Sequence, residues 1–156
     1  MSAPWLGVDL GDARVGLALS DPELTFAHPA GNVVVQGDSF LALESVIDII
    51  EQESVGKVVV GLPLLLDGTS GRSGRKASRW VNALKNRMSA LMNEGSLNLS
   101  SIPQVQLLDE RLTTVSAHRQ LRDAKVSGRE HRPFVDQQSA VVLLQSALDS
   151  RRTIKE

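Results

Sequence analysis

The sequence predicts an α/β fold: a mixed central sheet of three early antiparallel strands plus parallel strands, flanked by helices on both faces. Three observations predict it. Apolar residues alternate on either side of a Gly11-Asp12 turn, the pattern of two antiparallel strands. Further on, short apolar runs and stretches of helical spacing take turns along the chain, the order of a parallel sheet with crossover helices. The length, 156 residues, with 42% hydrophobic and 22% charged side chains, suits one domain, 1–156, with a sizeable core.

Each element has its own signal. Val8 and Leu10, then Val15, Leu17 and Leu19, form the opening strands. A third strand is expected over Asn32 to Val35. Asp38 or Ser39 can cap a helix whose apolar positions, Phe40, Leu43, Ile47 and Ile50, step by three and four. Lys57 to Leu62 is short and largely apolar, as expected of a central strand covered on both faces. Ala77, Trp80, Val81, Leu84, Met88 and Leu91 make a second amphipathic helix. Val105 and Leu107 mark another strand, ended by Asp109 and Glu110. A helix from about Thr114 to Asp123, a polar loop and a final helix from about Phe134 to Ser150 complete the order.

The totals narrow the function. The longest apolar run, Val58 to Leu66, is broken by Gly61 and Pro63, so no membrane partner is expected. The N-terminus, MSAPWLGVDL, lacks the basic flank and apolar block of a signal peptide, and there is no cysteine for disulfides or thiolate metal sites. A cytoplasmic location is the expectation. Net charge is −1 but unevenly spread. Residues 1–71 carry two basic against ten acidic side chains, and residues 72–156 carry fifteen against eight. Such asymmetry hints at a polyanionic partner, or else at halves whose charges pair on folding.

Three carboxylate positions hold the candidate chemistry. Asp9 lies within an apolar strand, where a carboxylate costs several kcal/mol to desolvate unless paired, hydrogen-bonded or bound to metal. Asp9 could equally sit at the strand end and bond the turn, as Asp12 and Asp21 are expected to do. Asp109 and Glu110 end a strand, where sites in α/β proteins gather, and spacing does not choose between them. Asp136 shares a helical face with Ala140, Leu143 and Ala147, and its first-turn place suits the helix dipole. Hard divalent cations such as Mg²⁺ take oxygen ligands of this kind. His28, His118 and His131 are scattered and are expected at the surface.

Cations flank this acidic set. The stretch Asp67–Arg79, read as a glycine-rich loop entering a helix, carries Arg72, Arg75, Lys76 and Arg79. It is not a Walker A loop, because Ser73 and Gly74 stand where that pattern needs glycine and lysine. A second group comprises Arg119, Arg122, Lys125, Arg129 and Arg132. Basic clusters around an acidic centre suit a nuclease, with cations holding the backbone and carboxylates holding metals. At 3% aromatic, with no Tyr, a base-stacking platform is not expected as the main device.

Four segments carry a family resemblance: GVDLGDARVGLALSD (Gly7–Asp21), VVVGLPLLLDGTSG (Val58–Gly71), LLDERLTTVSA (Leu107–Ala117) and VDQQSAVVLLQSAL (Val135–Leu148). With the stretches between them, they resemble the YqgF/RuvX family over most of the chain. This is a family of RNase H-like proteins described as Holliday junction resolvases and as nucleases for the 5′ end of pre-16S rRNA. The resemblance implies an RNase H-like fold and places the metal-binding, catalytic carboxylates at Asp9, Glu110 and Asp136, thus choosing Glu110 over Asp109. It implies two Mg²⁺ or Mn²⁺ ions, one activating water and one steadying the leaving 3′ oxygen. It also implies products with 5′-phosphate and 3′-hydroxyl ends, and matches Arg14 and Thr113 to family positions near nucleic acid. Two departures stand out: Leu65 where the family commonly has Asn, and Gln137 where it often has Lys. The expected partner is structured nucleic acid, and a homodimer would suit a two-fold symmetric junction. Two other readings remain: a non-catalytic binding module, and a sugar-kinase or chaperone-type ATPase, for which the chain lacks the usual second domain.

Overall fold

A computed structural model describes residues 3–63, 67–112 and 132–155, with residues 112, 132–137 and 152–155 described by backbone alone. One five-stranded sheet organises them, in the order β3-β2-β1-β4-β5. The strands are β1 (Trp5–Leu10), β2 (Arg14–Ser20), β3 (Ala27–Val34), β4 (Lys57–Leu62) and β5 (Gln104–Asp109). β1 to β3 run antiparallel in sequence, and β4 and β5 lie parallel to β1. The helices are α1 (Leu43–Glu53), α2 (Arg72–Asn93) and α3 (Arg132–Lys155), with 3-10 turns at Ser39–Ala42 and Glu110–Leu112.

Helices cover both faces of the sheet. On one face, Leu6, Val8, Val15, Leu17, Val58 and Val60 meet α1 and α2 through Ile47, Trp80, Leu84 and Met88. Each large side chain removed from water there contributes about 2–3 kcal/mol. On the other face, Ala18 and Val59 meet Ala140, Leu143, Leu144 and Leu148 of α3. Gly7 lets α3 approach: a Cβ there would lie 2.8 Å from the Cβ of Leu144 and 3.1 Å from the carbonyl oxygen of Ala140. Gln145 ties α3 to the start of β3, accepting from the Ala27 amide at 2.9 Å and donating to the Thr25 carbonyl at 3.0 Å.

Three expected elements start elsewhere. β3 begins at Ala27 rather than Asn32 and is an edge strand, irregular beside Leu17 and Ala18, with Pro29 and Gly31 in its middle. Such interruptions hide a strand from a search for alternation, and an edge strand tolerates them. The stretch read as a loop to Arg79 turns helical at Arg72, so all four cations lie on α2 itself. There Gly74 packs closely, its absent Cβ only 2.9 Å from the Pro63 carbonyl oxygen. α3 starts at Arg132 instead of about Phe134 and continues past Ser150 to Lys155. The helix expected over 114–123 lies outside the described residues. Among the described residues, no helix is long and apolar enough to cross a membrane.

Candidate active site

The carboxyl ends of β1, β4 and β5 meet at one end of the sheet, where a parallel arrangement leaves its crevice. Asp9 is the fifth residue of β1 and only 2% exposed. Because strand side chains alternate, Asp9 shares the α3 face with Gly7, opposite Leu6 and Val8. Val8 is in register with Val60, so the next step along both strands sets Asp9 beside Gly61. Glu110 follows the end of β5, where the 3-10 turn swings it back over the sheet. It is also 2% exposed, and its carboxylate fills the space that a Cβ on Gly61 would take, its Cδ 3.3 Å from that point. Two buried carboxylates are thereby brought to neighbouring strands on one face.

Asp109, which spacing could not separate from Glu110, is bonded to Arg111. Its Oδ1 accepts from the Arg111 amide at 2.9 Å, and its Oδ2 accepts from Arg111 Nη2 at 2.8 Å. Those hydrogen bonds hold the Asp109 carboxyl below its usual range and raise the Arg111 guanidinium. Asp109 is thus engaged in shaping the turn that presents Glu110. Arg111 also lies against Gly68, 3.4 Å from that glycine's absent Cβ, and so reaches the turn before α2. Asp67 in that turn accepts from the Thr69 hydroxyl at 2.7 Å, which lowers its carboxyl.

Asp136 is the fifth residue of α3, past the first turn in which it was expected because the helix starts earlier, and one turn before Ala140, the residue whose carbonyl meets Gly7. Its side chain lies outside the described residues, and so does that of Gln137. Among the described residues, no three His, Cys, Asp or Glu side chains group as a metal cluster. The described pair nevertheless fits a hard divalent ion: both donors are carboxylate oxygens, and glycine at 61 provides the room for one of them.

The expected phosphate contacts divide by location. Arg14 opens β2, pairs with Val34 across the strands, and shares the Asp9 face through the alternation that points Val15 and Leu17 the other way. Arg72, Arg75, Lys76 and Arg79 occupy the first two turns of α2, which packs on the opposite face. Lys76 reaches round the β1–β2 turn to Asp12, Nζ to Oδ1 3.3 Å. Arg75 donates to the Ser70 carbonyl at 3.2 Å. Thr113, Lys125, Arg129 and Leu65 lie outside the described residues, as do His118 and His131; Arg132 is described as the first backbone position of α3 only. His28 is exposed, its Nδ1 2.8 Å from the Leu19 carbonyl. Asp21 is a turn residue as expected, accepting from the Thr25 and Phe26 amides at 2.8 Å.

Residues 3–150 match the model of the family described as "RuvX: Holliday junction resolvase". The chain belongs to the RuvX family. A relative from Bifidobacterium adolescentis, named "Putative pre-16S rRNA nuclease", is 62% identical over 148 residues, covering 95% of this RuvX chain and 98% of its own. A relative of the same name from Mycobacteroides abscessus is 37% identical over 147 residues, covering 94% of this chain and 81% of its own. Among solved structures, T. thermophilus RuvC in complex with a Holliday junction superposes with a TM-score of 0.56 at 14% identity, covering 96% of each chain. The yeast mitochondrial Holliday junction resolvase Ydc2 superposes at 0.52 with 13% identity, covering 99% of this chain and 81% of that one. These likenesses establish the RNase H-like fold of RuvC-type proteins, as the family resemblance implied.

Sequence reasoning passed over Gly61 and Ser39. Gly61 read only as an interruption of an apolar run, although a glycine inside a strand signals a close approach. Ser39 read as a cap candidate, but Asp38 caps the turn, its Oδ1 accepting from the Phe40 amide at 3.0 Å, and Ser39 is fully buried.

Proposed function

We propose that this RuvX nuclease uses Asp9, Glu110 and Asp136 to hold Mg²⁺ or Mn²⁺ and hydrolyses phosphodiester bonds in structured nucleic acid, with the 5′ end of precursor 16S rRNA as its substrate. The burial of Asp9 and Glu110 on one sheet face, around a glycine that makes room for the second, carries this reading. The name shared by its relatives supports the substrate. Bound there, divalent ions would lower the pKa of the attacking water and neutralise charge growing on the leaving oxygen.

The chain's own residues do the rest. Asp9 is fixed by the strand and Glu110 by the Asp109–Arg111 turn, so the two oxygen donors need little reorganisation. Their burial keeps the bound charge in a low-dielectric place, where it acts strongly on a phosphate. Arg14 on the same face holds a backbone phosphate beside them. Residues 1–156 act as a single domain in the cytoplasm, where precursor rRNA is made. A homodimer would be required only for cutting both strands of a two-fold symmetric junction.

The decisive experiment sets a labelled pre-16S leader RNA beside a four-way DNA junction, with Mg²⁺, Mn²⁺ or EDTA. Metal-dependent cutting of the RNA, reduced about 10³-fold or more by Asp9→Asn, is the expected result. Preferred cutting of the junction would make recombination intermediates the substrate. Full activity in a clean Asp9→Asn preparation would remove Asp9 from the mechanism, and binding without cutting under any metal would establish a binding module instead.

A further inference from the structure

A second polar cavity, of about 480 Å³, opens on the far side of the β1–β2 turn from Asp9. Its size is that of a small-ligand site. Arg72, Lys76 and Arg79 line one wall, spaced so that they project from one side of α2. The first turn of α2, with Ser73, adds amides at the positive end of the helix dipole. Ser39 and Phe40 form the facing wall. The Ser39 side chain is fully buried, and its hydroxyl has no hydrogen-bond partner among the described residues. With no exposed surface, that hydroxyl lies behind the cavity wall and not in the opening. Phe40, 39% exposed, offers a ring edge or face at the same opening.

Two carboxylates temper the positive charge. Asp38 is committed to its cap on Phe40. Asp12 is fully exposed and holds Lys76 at 3.3 Å.

We propose that this cavity binds one nucleotide of the substrate strand away from the cut. Arg72, Lys76 and Arg79 take its backbone phosphate, and its base or sugar lies on Phe40. The inference rests on the nuclease reading above and deepens it. A strand cut on the α3 face would pass over the β1–β2 turn and be gripped on the opposite face of the sheet. Asp12 then acts as a placeholder that gives up Lys76 when the phosphate arrives.

The test measures binding in EDTA, where no cutting occurs, by fluorescence anisotropy of the labelled leader RNA over a series of salt concentrations. Arg72→Gln combined with Arg79→Gln should weaken binding about ten-fold or more at low salt and lower the salt slope by about two. Asp12→Asn should tighten binding, because Lys76 is released to the phosphate. Lys85→Gln, on the same helix but outside the cavity, serves as control. A double variant with the slope of Lys85→Gln, or an Asp12→Asn protein that binds RNA more weakly, would overturn the proposal. So would free AMP that saturates the wild-type protein in an Arg72- and Arg79-dependent way while RNA affinity ignores all these changes, since the ligand would then be a free nucleotide. Failure of the nuclease reading is read separately: no cleavage under any metal, with this binding pattern intact, would leave the cavity assignment standing.

Discussion

The two faces of the sheet are built from different alphabets. Facing α1 and α2, the central strands present Leu6 and Val8, Val15 and Leu17, Val58 and Val60. Facing α3, the same strands present Gly7 and Asp9, Gly16 and Ala18, Val59 and Gly61. The first set meets Trp80, Ile47 and Met88 and gains its stability from apolar area. The second spends volume on access: small residues admit a helix backbone at Gly7 and a carboxylate at Gly61. One face therefore holds the molecule together, and the other makes room for buried charge. The division explains how a sheet can tolerate two buried carboxylates without loss of its core.

Substitutions on the two faces should separate stability from activity. The largest effect belongs to Trp80→Ala on the α1–α2 face. It should cost about 3–5 kcal/mol in denaturant unfolding, through a cavity and the lost bond from the indole Nε1 to the Ser39 carbonyl, 2.9 Å in the native protein. The fraction that remains folded should keep its rate of cutting. Equal losses of cleavage per folded molecule would break the division.

Gly61→Ala tests the other face. The new methyl would meet the end of the Glu110 side chain, which can swing aside at little cost to the fold. Cleavage should fall about 100-fold, roughly 2.7 kcal/mol of transition-state stabilisation, with the melting curve hardly moved. An active Gly61→Ala protein would show that Glu110 need not sit over β4. Gly7→Ala differs because its methyl would meet Leu144 and the Ala140 carbonyl, which belong to a packed helix. Overpacking there should cost about 1–3 kcal/mol of stability. It should also lower cleavage, since α3 carries Asp136.

The smallest effect concerns Asp109. Its carboxyl is held below the usual value of 3.8 by the Arg111 hydrogen bonds. A lowered carboxyl contributes stability that is complete above 3.8 and is lost as pH falls through the lowered value. Wild-type protein should therefore melt slightly above Asp109→Asn at neutral pH, and the gap should close in acid. A gap that widens in acid would reverse the sign assigned to this pair.

Most of the fold was legible because its central strands alternate or run apolar without a break. Val15 to Leu19 and Lys57 to Leu62 are found where the spacing puts them. The start of β3 was not legible, because His28, Pro29 and Gly31 interrupt any alternation and an edge strand does not need one. The start of α2 was masked by Gly71 and Gly74, residues that usually mark loops; in the folded chain Gly74 fits against the Pro63 carbonyl. In the site, Asp9 was visible as a charge in an apolar strand. Glu110 could not be told from Asp109 by spacing, since a one-residue difference at a strand end depends on how the next turn is wound. Family resemblance implied Glu110, which is the more buried of the two. Ser39 carried only the signal of a cap, because a serine in such a place looks the same whether its hydroxyl is bonded or bare.

The irregular edge at β3 also affects how the molecule keeps its neighbours at a distance. An open strand edge is a template on which a second copy can extend the sheet. Pro29 removes one amide from that template, and the irregularity opposite Leu17 and Ala18 puts the remainder out of step. Two copies meeting at β3 would find few bonds to share, so crowding in the cell should not zip them into a continuous ribbon. The residues that hid this strand from the sequence also protect it from self-association.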